Sequence, residues 1–168
     1  MADEIINRVA NSKLVTLDLE DYYPIGERIV IDISEWLFKG IVLREMEFRN
    51  HIKTHNWTQY QDKFVAISCS TDAIVPAWAY MLISIELQAY SKTFVVGKLE
   101  TLETFIYRDI IENLDVSNLI DKPVIIKGCS KMPVPLNAYN MISSKLKPIV
   151  KSIMFGEACS NVPLFKRK

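Results

Sequence analysis

Short apolar runs along the chain are typical of buried β-strands. The second run, Arg-Ile-Val-Ile-Asp-Ile, is rich in β-branched residues, and the first two runs alternate in part between apolar and polar positions. The loop between these two carries Tyr-Tyr-Pro and a glycine, as a turn does. The pattern predicts six strands, at residues 14–19, 28–33, 64–68, 93–99, 124–127 and 152–155.

Longer segments between these strands show helical periodicity. In one of them Tyr107, Ile110, Ile111 and Leu114 stand at positions i, i+3, i+4 and i+7. The helix that begins at Pro76 is apolar nearly all round, which predicts that it is well covered by the rest of the molecule. The predicted helices span residues 43–55, 76–90, 103–114 and 136–148, with a short helical turn at 34–40.

The order of the elements indicates the fold class. From residue 64 onward strands and helices alternate, and strands separated by helices usually pair in parallel through right-handed crossovers. The two N-terminal strands are expected to form an antiparallel pair. We therefore predict a three-layer α/β fold, with a mostly parallel sheet, helices on both faces and the N-terminal antiparallel pair at one edge. No linker or change in composition divides the chain, so a single domain over residues 1–168 is expected.

Composition and charge exclude several classes of function. Lys plus Arg and Asp plus Glu number 20 each, so net charge gives no reason to expect nucleic acid or an anionic membrane as a partner. The basic residues 166–168 are interpreted as a solvated tail. Residues 1–13 lack the apolar core of a signal peptide, and no apolar run approaches the ~18 residues that cross a bilayer. Three cysteines are too few for a disulfide scaffold, which favours a reducing cytoplasm.

A Cys-Ser…Val-Pro signature recurs along the chain. Segments 64–80 and 123–139 each run from a strand through Cys-Ser, a short loop and Val-Pro to Ala-Tyr and a helix. A truncated third copy occupies residues 159–164. These copies contain all three cysteines of the protein, Cys69, Cys129 and Cys159.

The position of the cysteines after strands suggests a metal site. In one parallel sheet, all three would leave the same carboxyl edge, where open α/β sheets place their ligands. Cys69 and Cys129 also precede predicted helices, whose N-terminal dipole favours the thiolate that binds metal. We therefore predict that Cys69, Cys129 and Cys159 hold zinc or iron, in a labile or mixed-ligand site because no fourth cysteine exists. The candidates for the fourth ligand are Glu157, Asp72 and Glu100, besides water or a partner protein.

Two other interpretations of the cysteines remain open. Free cysteine often simply packs in a core, and the hydroxyls of Ser70, Ser130 and Ser160 would then support the loops. Alternatively, Cys69 or Cys129 is the nucleophile of a cysteine-dependent enzyme. No base or oxyanion partner is evident for such an enzyme, and C-x-x-C, phosphate-binding glycine loops and the G-x-S-x-G elbow are all absent. Whether the chain is an enzyme therefore stays undecided.

If the cysteines only pack, the protein is expected to be a non-catalytic binding module. Aromatic loop residues would then serve as contact anchors, namely Tyr22-Tyr23-Pro24 and Trp57. His51 and His55 follow Glu47 at helical spacing, which can bind metal but more often forms a solvated helix face.

Three segments carry a resemblance to a known family. Residues 1–13 (Met-Ala-Asp-Glu-Ile-Ile-Asn-Arg-Val-Ala-Asn-Ser-Lys), 127–131 (Lys-Gly-Cys-Ser-Lys) and 151–167 resemble the bacterial family catalogued as domain of unknown function 2480. The family has no assigned activity. Its genes often neighbour those for iron–sulfur cluster assembly, so the resemblance implies a protein partner in metal or iron–sulfur handling. This association carries no mechanism.

Overall fold

The computed structural model describes residues 14–128 and 131–168, which fall into two compact units. The inserted unit is Pro24–Ile106. The flanking unit consists of the chain up to Tyr23 together with Tyr107–Lys168. The single domain expected over residues 1–168 stays a prediction.

The helices and strands predicted from the sequence are present, most of them with slightly shorter bounds. In chain order they are β1 (Val15–Asp18), β2 (Arg28–Asp32), α1 (Glu45–Thr54), β3 (Phe64–Ser68), α2 (Ala77–Leu87), β4 (Thr93–Val96), α3 (Leu99–Asn113), β5 (Pro123–Lys127), α4 (Leu136–Leu146), β6 (Ser152–Glu157) and β7 (Ser160–Lys166). Short 3-10 turns follow β1 and β2 and precede β3 and β5. The chain is thus a mixed α/β protein whose strands are mostly parallel.

The inserted unit contains a parallel sheet with the strand order β2-β3-β4. Both faces of the central strand β3 are buried, as a near-continuous apolar run in a parallel sheet requires. Val65 and Ile67 on one face belong to the same apolar cluster as the buried side of α2, which consists of Ala79, Ile83 and Leu87.

The flanking unit contains a four-stranded sheet with the order β1-β5-β6-β7. The first three strands are parallel, and β7 pairs antiparallel with β6. Val124 and Ile126 of β5 lie in one apolar cluster with the buried side of α4, which consists of Ala138, Ile142 and Leu146.

Two expectations about the sheet are wrong. The strands of the described residues form two sheets, and β1 and β2 do not pair with each other, because β1 lies parallel to β5 and β2 parallel to β3. The physical reason is that each strand buries its apolar residues in its own core. Leu17 belongs to the cluster of the flanking unit, whereas Ile31 belongs to that of the inserted unit.

The basic C-terminal residues 166–168 were expected to form a solvated tail, but two of them are held by hydrogen bonds. Lys166 ends β7, and the backbone N–H of Arg167 donates to the carbonyl of Lys151. The Arg167 guanidinium also pairs with Asp121 and donates to the carbonyl of Pro148. The C-terminal segment therefore completes the sheet of the flanking unit and supplies the antiparallel pair that was expected at the other end of the chain.

The two units repeat one plan. The strand β3 begins at residue 64 and β5 at 123, while α2 begins at 77 and α4 at 136, so both intervals are 59 residues. Asp62 and Asp121, which precede these strands, both adopt positive φ, at 57° and 55°. Their N–H groups donate to the carbonyls of Tyr90 and Ile149, each at 2.9 Å. The recurring Cys-Ser…Val-Pro signature thus marks a structural duplication in its first two copies, while the third lies in the β6–β7 hairpin.

Candidate functional site

At the carboxyl edge of the inserted sheet, the carboxylate of Asp32 binds the backbone of two loops. Oδ1 of Asp32 accepts the backbone N–H groups of Ser34 and Ser70, both at 3.0 Å. The hydroxyls of these two serines lie 3.1 Å apart. The pKa of Asp32 is lowered to about 2, and the largest cause is the hydrogen bond from the Ser70 side chain. Burial acts in the opposite direction, while further hydrogen bonds from Ser34 and Ser70 lower the pKa as well. Asp32 therefore ties the end of β2 to the loop after β3.

Cys69 lies beside this network and packs against the core. Its side chain is half-buried against the apolar cluster of the inserted unit, and its sulfur lies 3.4 Å from Oγ1 of Thr71. The Thr71 hydroxyl donates its single hydrogen to the carbonyl of Gly40, so the Cys69 thiol must be the donor toward Thr71. This geometry fits a packing role for Cys69.

Two other predicted ligands, Cys159 and Glu157, lie in the flanking unit. Cys159 is exposed in the turn between β6 and β7, next to Ser160. Oε1 of Glu157 lies 3.6 Å from Nζ of Lys127, which also contacts Asp18 at 3.2 Å. These carboxylates raise the pKa of Lys127, first through the hydrogen bond to Asp18 and then through the charge of Glu157. Glu157 is thus engaged with a cation.

The predicted arrangement of the cysteines at one edge of one sheet is wrong. The strand before Cys69 belongs to the three-stranded sheet, whereas the strands before Cys129 and Cys159 belong to the other. Cys129 and Ser130 lie outside the described residues. Within residues 14–128 and 131–168, no three His, Cys, Asp or Glu side chains are grouped so that they could hold a metal ion. A zinc or iron site that includes Cys129 stays a prediction.

Two further candidates for the fourth ligand occupy other positions. Glu100 lies in the first turn of α3, because β4 already ends at Val96. The expectation that Glu100 leaves a strand end is therefore wrong. Asp72 is exposed and lines a groove of the inserted unit.

The histidines belong to an aromatic cluster. The rings of His51 and His55 lie 6.0 and 5.0 Å from that of Trp36, and Nε2 of His55 lies 2.7 Å from the Tyr60 hydroxyl. Burial, followed by the charge of His51, lowers the pKa of His55. Glu47 forms an ion pair with Arg44 at 3.0 Å. His55 is therefore a packed residue, while His51 keeps an exposed edge.

The predicted aromatic anchors differ in exposure. The side chain of Trp57 is only 7% exposed, and its indole N–H donates to the carbonyl of Ile52 at 2.9 Å. Tyr22 and Tyr23 are partly buried against the apolar cluster of the flanking unit. Trp57 covers a core edge, so the expectation that it is an exposed contact anchor is wrong, whereas the same role for Tyr22-Tyr23-Pro24 stays a prediction.

Exposed apolar side chains lie instead along α2. Met81 is 62% exposed and Ile85 64%, and Ile74, just before the helix, is 93% exposed. The expectation that this helix is covered all round is therefore wrong. We call Ile74, Trp78, Met81 and Ile85 the α2 face. A groove of about 600 Å³ adjoins Ile74 and Trp78, and it is also lined by Ile41, Val42, Leu43, Ala73, Pro76, Glu45 and Asp72.

The duplicated unit provides an internal comparison for this face. The helices α2 and α4 have the same length and bury the same three equivalent positions completely. At three outer positions α2 carries large apolar residues where α4, 59 residues later, carries polar ones, whereas at the first helical position Ala77 of α2 matches the 76% exposed Leu136 of α4. The pairs are Trp78 with Asn137, Met81 with Asn140, and Ile85 with Ser144. The fold therefore does not require an apolar outer face on this helix.

The fold and the site define a duplicated mixed α/β protein with an exposed apolar face on one unit. The family model described as "Protein of unknown function (DUF2480)" matches residues 3–167, and the chain belongs to this family. The resemblance noted in the sequence is thereby confirmed. No curated protein and no solved structure matches the chain. In the part of the chain that the structure describes, no helix has the length and apolar character needed to cross a bilayer.

Proposed function

We propose that this protein is a binding module for another protein chain, and that the α2 face with its adjoining groove is the contact surface. The observation that carries the proposal is the difference between two equivalent helices. Met81 and Ile85 expose apolar side chains at positions where the chain's own second copy of the helix has Asn140 and Ser144. Contiguous exposed apolar surface of this kind marks interaction sites.

Covering these side chains would stabilise a complex. Burial of a large apolar side chain contributes about 1.5–3 kcal/mol when it is complete, so the partly exposed Met81 and Ile85 would each contribute about 1–2 kcal/mol. Trp78 lines the groove beside them, and its indole ring has the Arg49 guanidinium 5.6 Å from its centroid. Aromatic residues at the centre of a patch are frequent binding hot spots.

The polar edge of the inserted sheet supports a non-catalytic role. Asp32 is held by Ser34 and Ser70, and Cys69 donates to Thr71 and packs against the core. These groups stabilise the loop that precedes α2, so their positions are explained without a reaction. The cysteine nucleophile, the zinc or iron site and a partner in metal or iron–sulfur handling remain predictions from the sequence.

Site-specific photo-crosslinking in living cells tests the proposal. A photoreactive phenylalanine analogue replaces Met81 in the full-length chain, and in a matched control it replaces Asn140 at the equivalent position of α4. We expect protein adducts from position 81 and few from position 140. Absence of adducts at position 81, or equal yields at both positions, would contradict the proposal.

A further inference from the structure

We infer that the partner on the α2 face is a second copy of this chain, so that the protein forms a two-fold symmetric dimer through α2. The inference rests on the proposed function, because it names the occupant of the same surface. Three observations carry it: the spacing of the exposed residues, the pairing of nearby charges, and the exposed area.

The spacing of the apolar residues is that of a helix–helix seam. Trp78, Met81 and Ile85 stand at i, i+3 and i+7, which is the a–d–a spacing of the first and fourth heptad positions. A two-fold axis brings the same patch of both subunits together, so an apolar seam of this kind meets its own copy without unpaired polar groups. The equivalent positions of α4 are polar, so α4 offers no such seam.

The two arginines near the α2 face are paired within the chain, and the groove also carries the carboxylate of Asp72. Arg49 pairs with Glu45 at 2.8 Å and Arg44 with Glu47 at 3.0 Å, and the only charged residue of α2 is Glu86. The whole chain has a formal net charge of zero. A strongly charged partner would therefore gain little electrostatic attraction here, and two copies could meet with only the carboxylates of Asp72 and Glu86 to keep apart.

The exposed area is sufficient for a stable contact. Ile41 and Val42, which line the groove, are 57% and 49% exposed, and Met46, next to the groove residue Glu45 in the sequence, is 85% exposed. Together with the α2 face, their exposed surface is on the order of the ~800 Å² that each partner buries in a standard protein–protein interface. A smaller patch would favour a weak or transient encounter.

Sedimentation equilibrium of the purified full-length chain tests the inference. The decisive variant, Met81→Asn with Ile85→Ser, introduces the residues that α4 already carries, so its fold should be preserved. The matched control is Asn140→Ala with Ser144→Ala. We expect a dimer at micromolar concentrations for the wild type and the control, and at least ~10-fold weaker association for the α2 variant. Urea unfolding and circular dichroism verify that all three chains are folded.

A second variant, Ile85→Lys, places a charge in the seam and should also give a monomer. A wild type that stays monomeric at ~100 µM, or an α2 variant that dimerises as the wild type does, would overturn the inference. The two proposals fail separately. If position 81 crosslinks to a different protein and the wild type is monomeric, the dimer inference is contradicted and the proposed binding surface is supported. Absence of any adduct at position 81 contradicts both the dimer and the proposed binding surface.

Discussion

At the end of β2, the Asp32 carboxylate accepts hydrogen bonds from two segments that are distant in the sequence. The equivalent residue at the end of β1, Asp18, accepts the N–H of Glu20 in the same way, at 3.0 Å. Both aspartates thus cap a 3-10 turn that follows a strand. In the inserted unit Asp32 also accepts the N–H of Ser70, and this contact fixes the loop from which α2 begins.

The acid stability of the protein should report on Asp32. Its folded pKa of about 2 lies below the ordinary value of 3.8, so its charge contributes stability that is complete above about pH 3.8 and is lost as the pH falls toward about 2. Asp32→Asn keeps an oxygen acceptor and removes the charge. We expect the wild type to exceed this variant by at most about 1 kcal/mol in free energy of unfolding at pH 7.

Urea unfolding of both chains from pH 7 to pH 2 measures the difference. The gap between the wild type and Asp32→Asn should narrow as the pH falls below about 3.8. A gap that stays constant down to pH 2 would show that the Asp32 charge does not stabilise the folded state.

The cysteines give a second prediction at the scale of single residues. The metal hypothesis predicts near-stoichiometric zinc or iron in anaerobically purified protein and its loss in the triple Cys→Ser variant. Because the Cys69 thiol is engaged with Thr71, we expect Cys69→Ser alone to leave any metal content unchanged. Elemental analysis of the wild type, the Cys69→Ser variant and the triple variant measures their metal content and tests both expectations. Metal-free wild type, or full occupancy in the triple variant, contradicts the metal site, and loss of metal from Cys69→Ser contradicts the packing role of Cys69.

Among the elements, local patterns were predictable and long-range pairing was not. The strand 64–68 and the helix 136–148 follow from a short apolar run and a helical period, which depend only on neighbouring residues. The division into two sheets depends on which strands meet, and the strands of both sheets are similarly apolar. The same limit explains why the cysteines were assigned to one sheet edge.

The helix α2 shows why an exposed apolar face was not predicted from the sequence. A helix that is apolar all round is normally buried, so its periodicity predicted a covered element. The comparison with α4 contains the missing signal. An alignment of the two copies at an interval of 59 residues would have matched Met81 with Asn140, and would have shown that the position is an outer one in this fold.

At the scale of the whole molecule, the duplication changes how the cysteines are understood. In the register that aligns the strands and the helices, Cys69 matches Gly128, so the two Cys-Ser pairs are displaced by one residue. The Val-Pro pairs, in contrast, align fully and precede the helices in both units. The repeated signature therefore reflects a shared strand–loop–helix plan, in which the cysteines do not occupy matching positions.

The central claim is that the α2 face is covered by protein in the cell. Hydroxyl-radical footprinting tests it directly, because methionine oxidation depends on exposure, and Met132 in the flanking unit, 43% exposed, provides a reference within the same chain. We predict that, relative to Met132, Met81 is oxidised more slowly in living cells than in dilute purified protein. An equal ratio of Met81 to Met132 oxidation under both conditions would contradict the claim.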